Sequence, residues 1–146
     1  MIGEIIAAVA GTVSFALLFG VPRQDYFWCG LIGGAGWAVY RAASLLWTEP
    51  ACALAASLVV VFLSRTAAVR RECPVTIFLI SGIFPLVPGA GVYWTAYYIV
   101  TNELDKASQT GYMALKVAVA IVLGIVFVFE LPQGIFRVFS KKENRE

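Results

Sequence analysis

The chain has 146 residues, 60% of them hydrophobic, with a mean hydropathy of +0.83 and a net charge of only +2. That balance lies outside the range of soluble domains and predicts an all-α integral membrane protein, one transmembrane domain over residues 1–146 with about five crossings at roughly 20 residues each. With no histidine in the chain, Ser/His and Cys/His pairs and histidine metal sites are excluded, so neither an enzyme nor a cofactor or metal is expected.

The first helix is read over residues 5–21. Glu4 stands where a leader would carry basic residues, so this segment is expected to be a retained helix. Gly20, Pro22 and the polar Arg23-Gln24-Asp25 then reverse the chain. Residues 26–47 form the second helix, with Gly30, Gly33, Gly34 and Gly36 along it. Gly30 and Gly34 have the small-xxx-small spacing that lets another helix approach closely, so these four are read as helix-packing residues; a smooth wall beside a substrate path is the alternative. Arg41 follows near the helix end, where it either snorkels to the interface or faces an anionic group.

Trp47-Thr48-Glu49-Pro50 turns the chain into the third helix, residues 51–69, and Arg70-Arg71-Glu72 forms a basic loop suited to anionic lipid headgroups. The fourth segment, residues 75–101, contains Pro85-Leu86-Val87-Pro88-Gly89-Ala90-Gly91. Two prolines without amide hydrogens and two glycines predict a broken or kinked helix, non-helical over Gly89 to Gly91 and restarting near Val92. Unsatisfied backbone costs several kcal/mol in hydrocarbon, so such a break is expected to face a cavity. The restarting half-helix would aim amides and partial positive charge at it, which suits a carboxylate. Tyr93 and Thr95 would add hydroxyls, while Trp94 and Tyr98 read as an interfacial aromatic belt. The fifth helix is read over residues 112–136, with a short cytoplasmic tail over 137–146.

On this reading Arg23, Arg65, Arg70, Arg71, Arg137, Lys141, Lys142 and Arg145 share one side, and the other side has Lys106 among Glu49, Glu103 and Asp105. The N-terminus is therefore expected outside and the C-terminus in the cytoplasm. Four crossings with a re-entrant segment would scatter these charges. The basic residues flank the membrane, which argues against nucleic acid as a partner. Cys29, Cys52 and Cys73 lack CxxC spacing and are expected to be free thiols.

The run Ile83-Phe84-Pro85-Leu86-Val87-Pro88-Gly89-Ala90-Gly91-Val92-Tyr93-Trp94-Thr95, with Val21-Pro22-Arg23 and the stretch from Cys29 to Trp37 upstream, resembles the C-terminal half of the threonine/serine exporter family. It is most similar to the small, separately encoded subunit of the split version. The resemblance implies an inner-membrane, proton-driven antiporter exporting threonine, serine or, in some members, dicarboxylates, with a larger partner subunit. The residue reading and the resemblance meet in a small-molecule substrate site at Pro85, Pro88, Gly89, Gly91, Tyr93 and Thr95, with Arg41, displaced from the arginine of some members, as a charge partner. Trp37 occupies a place where some members carry histidine. A non-transporting scaffold that docks a partner on its glycine face, and a small homo-oligomeric channel, are the rival readings.

Overall fold

The computed structural model describes residues 2–132, which contain six α-helices, two 3-10 turns and no strand. Helix α1 spans Ile2–Leu18, and a 3-10 turn at Arg23–Asp25 leads into α2 (Tyr26–Ala43). Then come α3 (Glu49–Arg71), α4 (Thr76–Ile83), a 3-10 turn (Phe84–Leu86), α5 (Gly89–Val100) and α6 (Leu104–Phe129). Helix α6, the expected fifth crossing, ends at Phe129 rather than 136, ahead of Pro132, which cannot continue a helix; the tail over 137–146 lies outside the described residues.

The helix boundaries follow local chemistry. Pro50 sits in the first turn of α3, where its missing amide costs nothing, and Glu72 closes that helix in the left-handed region at φ 51°. Asn102, at φ 59°, makes the corresponding turn between α5 and α6. Helices α1 and α3 shift by two or three residues from the sequence reading, and the ends of α2 and α6 differ more. Helix α2 ends at Ala43 rather than 47: the Ser44 hydroxyl donates to Arg41 O at 2.7 Å, and the next amides turn to acceptors three residues back, Leu45 N to Ala42 O at 3.4 Å and Leu46 N to Ala43 O at 3.0 Å. Helix α6 starts at Leu104, eight residues before the expected 112, because its polar first turns keep one face packed: Ala107 and Ala114 are both buried there.

The chain runs up and down, with α3 at the centre against α2, α4 and α6, while α1 packs on α2 and α5 on α6. Cys52, Ala53, Ala56, Ser57, Val60, Val61 and Ser64 of α3 are fully enclosed. Small residues set the spacing. A Cβ on Gly33 would overlap Thr12 of α1, one on Gly36 would overlap Val60 of α3, and one on Gly34 would lie 2.7 Å from Val9 Cγ2. Gly30 leaves 3.1 Å to Val13 Cγ2, and Gly124 of α6 accommodates the Ser57 side chain. Thr12, Ser57, Ser64 and Ser81 are buried, but each hydroxyl donates to a carbonyl one turn back, so none is left unsatisfied.

Glu49–Arg71 and Leu104–Phe129 are each long and apolar enough to cross a membrane, and residues 76–86 with 89–100, bent by 51°, together meet the same test. Large apolar side chains such as Leu17, Phe27, Leu115, Val122 and Phe127 are exposed around the bundle, as lipid contact requires. The two ends of the bundle differ in charge. At one, Arg41 Nε lies 2.7 Å from Glu4 Oε2, with Glu49, Glu103 and Lys106 at the same end of their helices. At the other, Arg71 Nε donates to Asp25 Oδ1 at 2.8 Å, and Arg65 donates to Phe129 O at the end of α6 at 3.4 Å and to Leu131 O just beyond it at 3.0 Å. A cation at that helix terminus meets the negative end of the dipole.

Candidate functional site

Pro88 makes the break. A residue before proline is pushed out of the helical region, and Val87 is extended at φ −60° and ψ 130°. Pro85 is accommodated in the 3-10 turn, where Val87 N still donates to Phe84 O at 3.2 Å. The glycines do something else. Helix α5 begins at Gly89, so Gly89 to Gly91 are helical, three residues ahead of the expected restart, and neither glycine has a positive φ. Their contribution is space: nothing lies within 4 Å of a Cβ on Gly89, and one on Gly91 would meet Ala114 Cβ of α6 at 3.1 Å.

The break lines a cavity of about 440 Å³, within the size range of small-molecule sites. Residues 85–91 form one wall; Trp37 and Tyr40 of α2, Glu49 of α3, and Thr110, Met113, Ala114 and Val117 of α6 form the others. Trp37 and Tyr40 stack with ring centroids 5.4 Å apart. The Trp37 Nε1 is buried and has no hydrogen-bond partner among the described residues. The first amides of a helix have no intrahelical acceptor, and no side chain caps α5. A larger cavity of about 700 Å³ lies at the opposite end against Arg65, Glu72 and Glu130, and extends to Pro132, the last described residue.

Of the residues singled out in the sequence, Pro85, Pro88, Gly89 and Gly91 line the smaller cavity together. Thr95 stands just behind it: its Oγ1 lies 2.7 Å from Gly91 O and 3.0 Å from Thr110 Oγ1, and Thr110 donates in turn to Lys106 O at 2.9 Å. Tyr93 is exposed beside Trp94, outside the lining, and Arg41 is held in its ion pair with Glu4. Gly30, Gly33, Gly34 and Gly36 lie between helices. Tyr40, Glu49, Thr110 and Met113 join the site unannounced by any motif.

A family model described as "Threonine/Serine exporter, ThrE" matches residues 4–130. The chain belongs to the threonine/serine exporter family. No curated protein and no solved structure matches the chain. Membership makes this a membrane protein of the exporter type. The cavity then has features a small polar solute needs: the amides of Ala90 and Gly91 at a helix N-terminus, the hydroxyls of Tyr40 and Thr110 and the Glu49 carboxylate, set in an otherwise apolar lining.

Proposed function

We propose that this chain is the small membrane subunit of a split exporter of threonine- and serine-type solutes, and that the cavity at the α4–α5 break is its substrate site. The observation that carries this reading is the convergence of the broken backbone, the α5 N-terminus and the polar groups of α2, α3 and α6 on one cavity. Irregular backbone at membrane depth is tolerated where it lines a cavity, and discontinuous helices are a recurrent way to bind solutes in secondary transporters.

The chain crosses the membrane five times on this reading, α4 and α5 forming one bent crossing, with the N-terminus outside. Support comes from the two charged ends of the bundle: Arg23, Arg65, Arg70 and Arg71 collect at one, which the positive-inside rule assigns to the cytoplasm of an inner membrane. The cavity then lies nearer the outer face, with Glu49 and the start of α6. Helix α5 buries none of its residues and packs on α6, leaving Tyr93, Trp94 and Tyr97 for lipid or the larger subunit. Proton coupling is assigned to the assembled pair, since the cavity lining holds one carboxylate and no histidine.

The test is efflux of labelled threonine from proton-energised vesicles containing this chain with and without the larger subunit, with Gly89→Leu alongside. Efflux that requires both subunits and is lost in the variant is the expected result. Undiminished efflux with Gly89→Leu would move the substrate site elsewhere and leave the chain as a scaffold.

A further inference from the structure

A third cavity, of about 250 Å³, lies between α2 and α3 at the arginine-rich end of the bundle. Its lining follows the two helices in order. On α3, Thr66 and Phe62 lie one and two turns inside Arg70, so at 1.5 Å per residue this wall runs about 12 Å inward from the cation. On α2, which starts at that end, Trp28 comes first and Leu31 follows about a turn inside. The result is a groove with a guanidinium and an indole at one end and apolar side chains along its length. The one hydroxyl there, Thr66 Oγ1, already donates to Phe62 O at 2.9 Å, so the inner part asks for no polar ligand group.

The charges at this end are sorted. Arg71 Nε donates to Asp25 Oδ1 at 2.8 Å, which ties the last turn of α3 to the turn before α2 and neutralises the buried carboxylate there. Glu72 lines the larger cavity with Arg65 and Glu130 instead. A guanidinium carries five donors, so Arg70, exposed at the end of α3, can take an anionic oxygen alongside its protein contacts. We propose that this groove binds an anionic phospholipid, with the phosphate at Arg70 and an acyl chain along Leu31 and Phe62. Basic pockets between transmembrane helices bind lipid headgroups, and tryptophan is favoured at the same depth. A free phosphate would use the cation and leave the apolar length empty. Phosphatidylcholine sets a second cation beside its phosphate, which Arg70 opposes. The groove shares no lining residue with the cavity at the α4–α5 break, so the proposal stands apart from the substrate site.

The experiment is native mass spectrometry of the full-length chain titrated with dioleoyl phosphatidylglycerol or dioleoyl phosphatidylcholine, with thermal midpoints to establish that each variant is folded. The parent is expected to bind a first phosphatidylglycerol more tightly than phosphatidylcholine. Arg70→Gln is expected to weaken that binding about tenfold, the range for a lost charge-assisted contact. Thr66→Phe, which puts a ring into the groove and keeps the cation, is expected to weaken it as well. Arg23→Gln, at the same end but outside the lining, is expected to leave it unchanged. Equal losses in Arg23→Gln and Arg70→Gln overturn the site in favour of diffuse attraction to a basic surface. Undiminished binding in a folded Thr66→Phe protein overturns the groove as the place of the acyl chain. No preference for phosphatidylglycerol in the parent, or its displacement by inorganic phosphate, overturns an anionic lipid as the ligand.

Discussion

Arg71 reaches back from the last turn of α3 to donate from Nε to Asp25 Oδ1 at 2.8 Å, and the carboxylate it meets belongs to a residue only 3% exposed. Asp25 ends the turn before α2 and makes no side-chain cap there, so its charge serves the contact with α3 instead. Removing the cation strands a buried carboxylate, at about 3 kcal/mol. Asp25→Asn keeps an acceptor and leaves a guanidinium that is one-third exposed and can turn to water, at about 1 kcal/mol. Arg71→Ala should therefore lower the melting temperature of the detergent-purified protein more than Asp25→Asn does. The double variant should be more stable than Arg71→Ala alone. Equal losses in the two single variants would show that the pair is too well solvated to matter.

The α1–α2 seam makes a second prediction. Thr12 is fully buried, its hydroxyl donates to Ala8 O at 2.8 Å, and a Cβ on Gly33 would overlap that side chain. Overpacking of this kind costs about 1–3 kcal/mol. Gly33→Ala should reduce the folded yield and thermal midpoint, and Thr12→Ala in the same chain should restore only part of the loss, because Thr12 Cβ itself lies 2.8 Å from the Gly33 Cβ position. The seam between Ser57 and Gly124 behaves alike, with Ser57 Cβ at 3.0 Å and Leu54 O at 3.3 Å from the Gly124 Cβ position once the hydroxyl is gone. A shortened serine would relieve only part of a Gly124→Ala clash. Complete restoration by Thr12→Ala or by Ser57→Ala would contradict this.

Much of this arrangement is legible in the residues. Apolar runs with Pro and Gly punctuation locate the helices to within a few residues, and the prolines at 85 and 88 mark where α4 gives way to α5. What the pattern misreads is the work of Gly89 and Gly91: both read as backbone freedom, but their φ angles are ordinary and their missing side chains matter. The start of α6 is misread because residues 105–110 are polar apart from Ala107 yet still helical, with Thr110 turned to Thr95 of α5. Glu49 reads as a turn residue, and Thr110 falls between the expected fourth and fifth helices. Only the meeting of α3 and α6 with the break places them in one cavity, and periodicity along a chain carries no information about that meeting.

Cys73, in the turn between α3 and α4, offers a pH-dependent readout. Burial pushes its thiol above the ordinary range, with the Asp25 charge adding to the shift and Arg71 opposing it. The thiolate is the reactive form, so alkylation at pH 7 should be slower than for an exposed cysteine and should rise with a midpoint above about 8.5. Arg71→Ala removes the opposing cation and should move the midpoint higher still. Peptide mass mapping of an iodoacetamide time course across pH 7–10 reads this at Cys73 separately from buried Cys29 and Cys52. A midpoint at or below the free-thiol value would mean the α3–α4 turn is open to water.

The two glycines of the break should separate site from scaffold. Gly89 has open space where a Cβ would go, so Gly89→Ala should leave stability within about 0.5 kcal/mol. A leucine there extends into the cavity and should abolish threonine binding with the thermal midpoint kept. Gly91 also lines the cavity, but its Cβ position already touches Ala114 at 3.1 Å. Gly91→Leu would therefore pry α5 from α6 and lower stability and binding together, by about 1–3 kcal/mol in the first. Ala114→Gly should return part of the stability of a milder Gly91→Ala variant, because it vacates the atom that is met. The informative outcome is the split between binding and stability: loss of binding at Gly89 without loss of fold is what a substrate cavity predicts. Stability losses of the same size at both glycines would instead make this region a packing joint.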